Sequence, residues 1–216
     1  MKRWGRAVGK RSGGAALGVV IAAGVLAGCG SDGGPSADAA PVSAAPAEKT
    51  DGPGDYRPPD DICKNIDFSA LAAAVAKSSE PPKGQETGSD PTVASGAACL
   101  QPFAKSGTVD GRSIVRCSAW KNVATAVEMY ERGFRAASGE SKKGVTKESG
   151  IGKAAYRYEN VKDSPWLADL RLVVRDSNLE CEVQVQSNTM LTDAETEAAY
   201  GAMTVTAKAV LPKLRS

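Results

Sequence analysis

The chain of 216 residues contains no histidine, which removes the commonest general base, every His-based catalytic triad and the most frequent nitrogen ligand for zinc. Its 27 basic and 25 acidic side chains leave a formal +2 at pH 7, without the basic footprint that nucleic acid demands. No run reaches the roughly 18 apolar residues of a membrane-spanning helix.

Lys2, Arg3, Arg6, Lys10 and Arg11 precede an apolar run from Ala15 to Ala27. As a helix that run rises about 20 Å, against a hydrocarbon core of about 30 Å. A positive start, a short apolar centre and small residues ahead of a cut site make a secretory signal. The run closes on Leu26-Ala27-Gly28-Cys29, which resembles the lipobox of bacterial lipoproteins at all four positions. The resemblance implies diacylglycerol on the Cys29 thiol and cleavage between Gly28 and Cys29, making residues 1–28 a lipoprotein signal peptide. Each buried CH₂ of an acyl chain is worth about 0.8 kcal/mol, and two or more chains give a stable anchor. The expected location is therefore the cell membrane, lipid-anchored, on the extracytoplasmic face. Five of the 27 basic residues fall in the signal, so the mature chain carries 22 against 25 acidic ones, a formal −3.

Residues 29–60 hold two basic and six acidic side chains among many Gly, Pro, Ala and Ser. So few apolar groups predict a disordered linker from the lipidated cysteine, with a root-mean-square span of roughly 30 Å. Residues 61–216 are long enough for one domain with one core. Apart from Cys29, the cysteines are Cys63, Cys99, Cys117 and Cys181, an even number in an oxidising compartment. Two disulfides are expected, in any of three pairings. A Cys₄ metal site is disfavoured, because no Cys-x-x-Cys spacing occurs.

Within the domain, Asp67 caps a predicted helix from Phe68 to about Lys77, with Ile66 and Leu71 as a hydrophobic staple. Residues 78–96, rich in Gly and Pro, read as a long polar loop. Two extended segments, Ala97 to Phe103 and Ser113 to Trp120, read as a hairpin with a loose turn through Gly107 and Asp110-Gly111. Asn122 then caps a helix to about Ala137 whose Val123, Val127, Tyr130 and Phe134 form one stripe, ended by Gly139. Val145 to Glu148, a turn at Gly150-Ile151-Gly152 and Ala154 to Glu159 follow. The clearest strands are Leu170 to Val174 and Leu179 to Val185. With Ser177-Asn178 as their turn, Val174 faces Cys181, Leu172 faces Val183 and Leu170 faces Val185. Thr192 to Glu195 is a capping box opening a helix to about Leu211, limited by Pro212. The order α-β-β-α-β-β-β-α argues for an α+β fold, a single antiparallel sheet with helices covering one face.

Asp61-Ile62-Cys63, Cys117 with Trp120, Gly150 to Ala155 and the final helix over 192–212, added to the lipobox and linker, give the chain a family look. It resembles actinobacterial lipoproteins that carry a domain of unknown function. The chain departs from their pattern at Ile62, where they have proline, at the Cys117–Trp120 spacing, and at Lys153, where they tend to have aspartate. The resemblance implies Cys63–Cys117 and Cys99–Cys181 as the bridges, with Cys99–Cys117 across the hairpin as the alternative. It also implies a fold of the Mog1/PsbP type, an α-β-α sandwich. It implies no activity.

The catalytic candidates are thin. Ser118-Ala119-Trp120-Lys121 matches Ser-x-x-Lys, but neither Lys-Thr-Gly nor Ser-Asp-Asn accompanies it. Gly150-x-Gly152-Lys153 lacks the rest of a phosphate loop and reads as a tight turn. Glu180 and Glu182 are the nearest approach to a paired-carboxylate hydrolase, and they point outward, opposite Cys181. Trp166, or Tyr156 and Tyr158 beside Arg157, would stack on a sugar or peptide if exposed, and otherwise plug the end of the core. Lys142, Lys143 and Lys147 would meet anionic wall polymer or headgroups, or simply be a solvated turn. The expectation is a non-enzymatic, membrane-anchored lipoprotein, without cofactor or metal, that binds an envelope protein, wall polymer or small ligand. A small cell-wall hydrolase is the alternative.

Overall fold

The chain divides at Ala45, and Pro46–Ser216 forms a compact unit. The computed structural model describes residues 50–57, 61–75, 80–90, 94–105, 108–141, 143–161 and 165–216. The proposed signal peptide, Cys29 and Lys142 lie outside them. Among the described residues, no helix is long and apolar enough to cross a membrane.

A short 3₁₀ turn, Ile62–Asn65, leads into α1, Ser69–Val75. Then come β1 (Lys83–Asp90), β2 (Ala94–Lys105), β3 (Thr108–Trp120), α2 (Val123–Glu140), β4 (Thr146–Glu148), β5 (Ala154–Glu159), β6 (Ala168–Asp176), β7 (Leu179–Ser187) and α3 (Asp193–Leu214). All seven strands join one antiparallel sheet in the order β1-β2-β3-β7-β6-β5-β4. The fold is α+β, as the sequence led one to expect. The β6–β7 register is also the expected one, Val174 opposite Cys181, Leu172 opposite Val183 and Leu170 opposite Val185.

Two parts of the expected layout change. Residues 83–90, read as loop, form an edge strand. Their Gly, Ser and charged residues carry no apolar alternation, so pairing with β2 supplies the order that local propensity does not. The helices also occupy both faces rather than one. Leu170, Leu172, Val174, Val183 and Val185 face α1 and α3 in a continuous core. Tyr156, Tyr158 and Val173, on the opposite face, pack with Tyr130 and Ala137 of α2.

Several boundaries shift by small amounts. β2 and β3 run closer to their turn than expected, and Asp110 is the extra residue of a bulge between the Phe103–Gly111 and Ala104–Val109 pairs. A Cβ at Gly111 would overlap the Gln186 carbonyl and the Phe103 ring, so only glycine lets these strands close. The Asn122 side chain caps α2 through Thr125 N, and the helix runs past Gly139 to Glu140. The Thr192–Glu195 capping box is present, and α3 continues through Pro212 to Leu214.

The bridges are Cys63–Cys99 and Cys117–Cys181. This corrects the pairing Cys63–Cys117 with Cys99–Cys181, and also the alternative Cys99–Cys117. The reason is register. β3 pairs with β7 so that Cys117 lies directly opposite Cys181, while Cys99 faces Val115. Cys99, fully buried on the α1 side of β2, then meets Cys63 from the 3₁₀ turn.

The folded unit also begins earlier than residue 61. Tyr56 is only 5% exposed and forms an isolated bridge with Arg215. Its backbone N–H donates to Asn178 Oδ1 at 2.9 Å, and Asn178 Nδ2 donates back to the Tyr56 carbonyl at 2.9 Å. Its hydroxyl donates to Asp176, which Arg215 also reaches at 2.9 Å. Part of the stretch read as linker is therefore docked on the β6–β7 turn.

Candidate functional site

Three places bring chemistry-bearing side chains together. The first is the α2 side of β6 and β7, where alternation sends Asp169, Arg171, Gln184 and Gln186 to one face. Asp169 is 2% exposed. Its carboxylate accepts from Gln184 Nε2 at 2.7 Å, Gln186 Nε2 at 3.4 Å, Asn160 Nδ2 at 3.4 Å, and Arg171 Nε and Nη2 at 3.3 and 3.2 Å. Gln186 Oε1 accepts from Arg112 Nε at 2.6 Å, and the Arg112 guanidinium lies 5.1 Å from the Trp166 ring centre. Burial alone would lower the Arg171 pKa. Its hydrogen bond to Asp169 and the nearby negative charges outweigh that and hold it above its ordinary range. The Asp169 carboxylate is matched by the Arg171 guanidinium and by amide donors inside the protein, as a structural network requires.

Two rows further along the same face sits Glu180, opposite Ser118 on β3 and Arg175 on β6. Burial, then the charge of Glu182, pushes its carboxyl up to about 7, with Arg175 opposing. Burial likewise raises the phenols of Tyr130 and Tyr158 to about 12, and Tyr156 higher still. Glu180 and Glu182 do project away from Cys181. Both are only partly covered, with Tyr130 of α2 and Tyr156 of β5 close to Glu180. Glu182 lies 3.5 Å from Arg116 and 3.9 Å from Arg171.

The second place is the margin between β4–β5 and the start of α3. Arg157 reaches Glu148 and Glu197, each at 2.8 Å, with its guanidinium 4.6 Å from the Tyr200 ring centre. Burial lowers the Arg157 pKa, yet the Glu197 hydrogen bond and the carboxylates outweigh it and keep the group above its ordinary value. Lys143 is exposed and pairs with Glu159 at 3.4 Å. These groups too satisfy one another.

The third place is a cleft of about 270 Å³ at the end of the sheet where the β2–β3 turn and the end of β7 meet. Ala73, Ala74 and Val75 of α1, Phe103 of β2 and Leu191 make its apolar lining. Asp110, Ser187, Thr189 and Glu195 supply its polar edge. Ser187 Oγ and Thr189 Oγ1 stand 3.0 Å apart and hydrogen-bond to each other. Glu195 Oε2 accepts from Thr192 N at 2.8 Å, so the helix cap itself places that carboxylate. Concave, mostly apolar sites with a few placed polar groups are where small ligands bind.

The residues singled out from the sequence are distributed as follows. Ser118 lies on β3 between Gly96 and Glu180, and Lys121 is exposed just beyond the strand. Gly150 and Gly152 take positive φ in a turn where Lys153 N donates to the Arg175 carbonyl at 2.9 Å. A Cβ at Gly152 would meet that carbonyl at 2.6 Å. Tyr156 and Tyr158 are buried, their ring centres 6.0 Å apart, and Trp166 is partly covered beside Arg112. Lys147 is exposed, its ammonium 5.3 Å from the Phe134 ring centre. Sequence reasoning missed Asp169, Gln184, Gln186 and the whole cleft. Polar residues alternating with apolar ones read as a solvated face, and the cleft joins segments more than a hundred residues apart.

Among the described residues no cluster of three Cys, Asp or Glu side chains is placed to hold a metal ion. No protein-family model, curated protein or solved structure matches this chain.

Proposed function

We propose that the protein is an exported lipoprotein, acylated at Cys29, whose domain is a non-catalytic binding module on the extracytoplasmic side of the membrane. One observation carries the reading. Of five cysteines, the four in the domain are joined in pairs, and the one left over is the last residue of Leu26-Ala27-Gly28-Cys29. Bridged cysteines fit an oxidising compartment, and a thiol at the end of a short apolar run fits lipid attachment. Within the binding class, a concave apolar-lined cleft favours a ligand over a flat protein partner. The charged side chains Asp169, Arg171, Arg157, Glu148 and Glu197 are paired with one another, which favours binding over catalysis.

The test is metabolic labelling with palmitate followed by detergent phase partitioning. The wild-type protein is expected to carry label and enter the detergent phase, and Cys29→Ser to do neither. Unchanged labelling and partitioning in Cys29→Ser would remove the anchor, and with it the reading.

A further inference from the structure

We propose that the Cys63–Cys99 bridge is a thiol–disulfide exchange site, open to a dithiol reductant at the Cys63 sulfur, and that its reduction releases the 3₁₀ turn and α1 from the sheet. The proposal goes beyond the reading of the domain as a binding module and does not depend on it.

The two bridges differ in what surrounds them. Cys117 and Cys181 are 0% and 1% exposed, on neighbouring interior strands. Ala97 of β2 stands opposite Cys117 and Val174 of β6 opposite Cys181, so apolar residues flank that bridge on both sides across the sheet. Cys99 is just as buried, but its partner Cys63 is partly exposed and lies toward β1, the outermost strand. Gly84 of β1 stands directly opposite Cys99 and is exposed. A Cβ at Gly84 would lie 3.7 Å from Cys63 Sγ, and no other described atom beyond its chain neighbours comes within 4 Å. A glycine therefore stands where a larger residue would cover the sulfur. Exchange requires access to the sulfur attacked, and of the four bridged cysteines Cys63 alone offers it.

The reaction is a two-electron exchange. A thiolate of the reductant attacks Cys63 Sγ, the Cys63–Cys99 bond breaks, and the Cys99 sulfur leaves and takes up a proton. The second thiol of the reductant then attacks its own sulfur in the mixed disulfide and expels Cys63, which takes the proton that thiol gives up. The protein bridge is reduced and the reductant becomes a disulfide.

The segment held by the bridge is short. The 3₁₀ turn has four residues and α1 has seven, less than an isolated helix needs to persist in water. Ile62, Phe68 and Leu71 are buried in the core, and Lys213 Nζ donates to the Asn65 carbonyl at 3.1 Å. Those contacts and the bridge together fix the segment to the sheet. Ala73, Ala74 and Val75 at the end of α1 line the cleft, so the state of the bridge sets how firmly that wall is held.

The experiment treats the folded full chain carrying Cys29→Ser with dithiothreitol and quenches with iodoacetamide at intervals. Alkylation of each cysteine is measured by peptide mass spectrometry. Cys63 and Cys99 are expected to be alkylated together, at least about tenfold faster than Cys117 and Cys181. Gly84→Val, whose branched side chain suits an edge strand and covers the sulfur, is expected to slow reduction of Cys63–Cys99 about fivefold or more and to leave Cys117–Cys181 unchanged. After selective reduction, amide hydrogen exchange is expected to quicken about tenfold or more over residues 61–75 and to stay the same over Leu179–Ser187. Equal rates for the two bridges, or faster reduction of Cys117–Cys181, would overturn the proposal without any variant, since both bridges would then open through global unfolding. An unchanged rate in Gly84→Val would remove the access at Cys63, and unchanged exchange over residues 61–75 would remove the release of α1.

Discussion

The two faces of the sheet solve different problems. Toward α1 and α3 the inward residues are mainly aliphatic or cysteine, with Phe103 at one end, and both disulfides lie on that side. Toward α2 the same strands present Asp169, Arg171, Glu180, Glu182 and two glutamines, interrupted by a knot of tyrosines. The first face is held by area removed from water and by loop closure, neither of which depends on protonation. The second is held by matched charges and hydrogen bonds, so its contribution varies with pH and with each individual partner. The difference teaches that stability and sensitivity to conditions are divided between the layers of one sheet.

The largest effect that would sharpen this comparison belongs to the first face. Replacing Cys117 and Cys181 together by alanine opens a loop spanning 64 residues. The expected loss is about 4 kcal/mol in a denaturant titration, nearly the same at pH 5 and pH 8. A loss that differed strongly between those two pH values would break the division. On the second face, Asp169→Ala leaves Arg171, Gln184 and Gln186 without their shared acceptor. A loss of about 2–3 kcal/mol is expected by the same titration, and Asp169→Asn should recover part of it.

The smallest effect is the most diagnostic, because it is present at one pH and absent at another. The Glu180 carboxyl titrates near 7 in the folded chain, above its ordinary 4.5. Between those values the unfolded chain has released this proton and the folded chain still holds it. The contribution of this group to stability is therefore full below about 4.5, falls as pH rises through 7, and is flat above. Glu180→Gln is expected to match the wild type at pH 4 and to be more stable by about 1–2 kcal/mol at pH 8. Equal stability at both pH values would show that the carboxyl is not held in a dry layer.

The β6–β7 hairpin was legible because every inward residue has an inward partner and the turn is only two residues long. The cap residues Asn122 and Thr192 were legible for a similar reason, since their partners lie within three positions. β1 was not legible, because its order comes from β2 rather than from its own side chains. The placement of α2 had a signal that went unread. Val173 breaks the phase of Leu170, Leu172 and Val174, and Tyr156 and Tyr158 alternate with Arg157, so apolar residues stand on both sides of these strands. The disulfide pairing required knowing that β3 lies beside β7, a contact between segments some sixty residues apart. Once that neighbour is known, Cys117 opposite Cys181 follows. The cleft needed more still, since its walls come from α1, β2, β3 and the segment leading into α3.

The docking of Tyr56 has a mechanical consequence. A pull on the chain ahead of Thr50 passes through Tyr56 into Asn178 and Arg215, and so loads the β6–β7 turn and the carboxyl-terminal end together. The cleft lies at the other end of the strands, about 30 Å away along Gly111–Trp120. Tension is taken up at one pole of the domain, and the opposite pole stays out of the line of force.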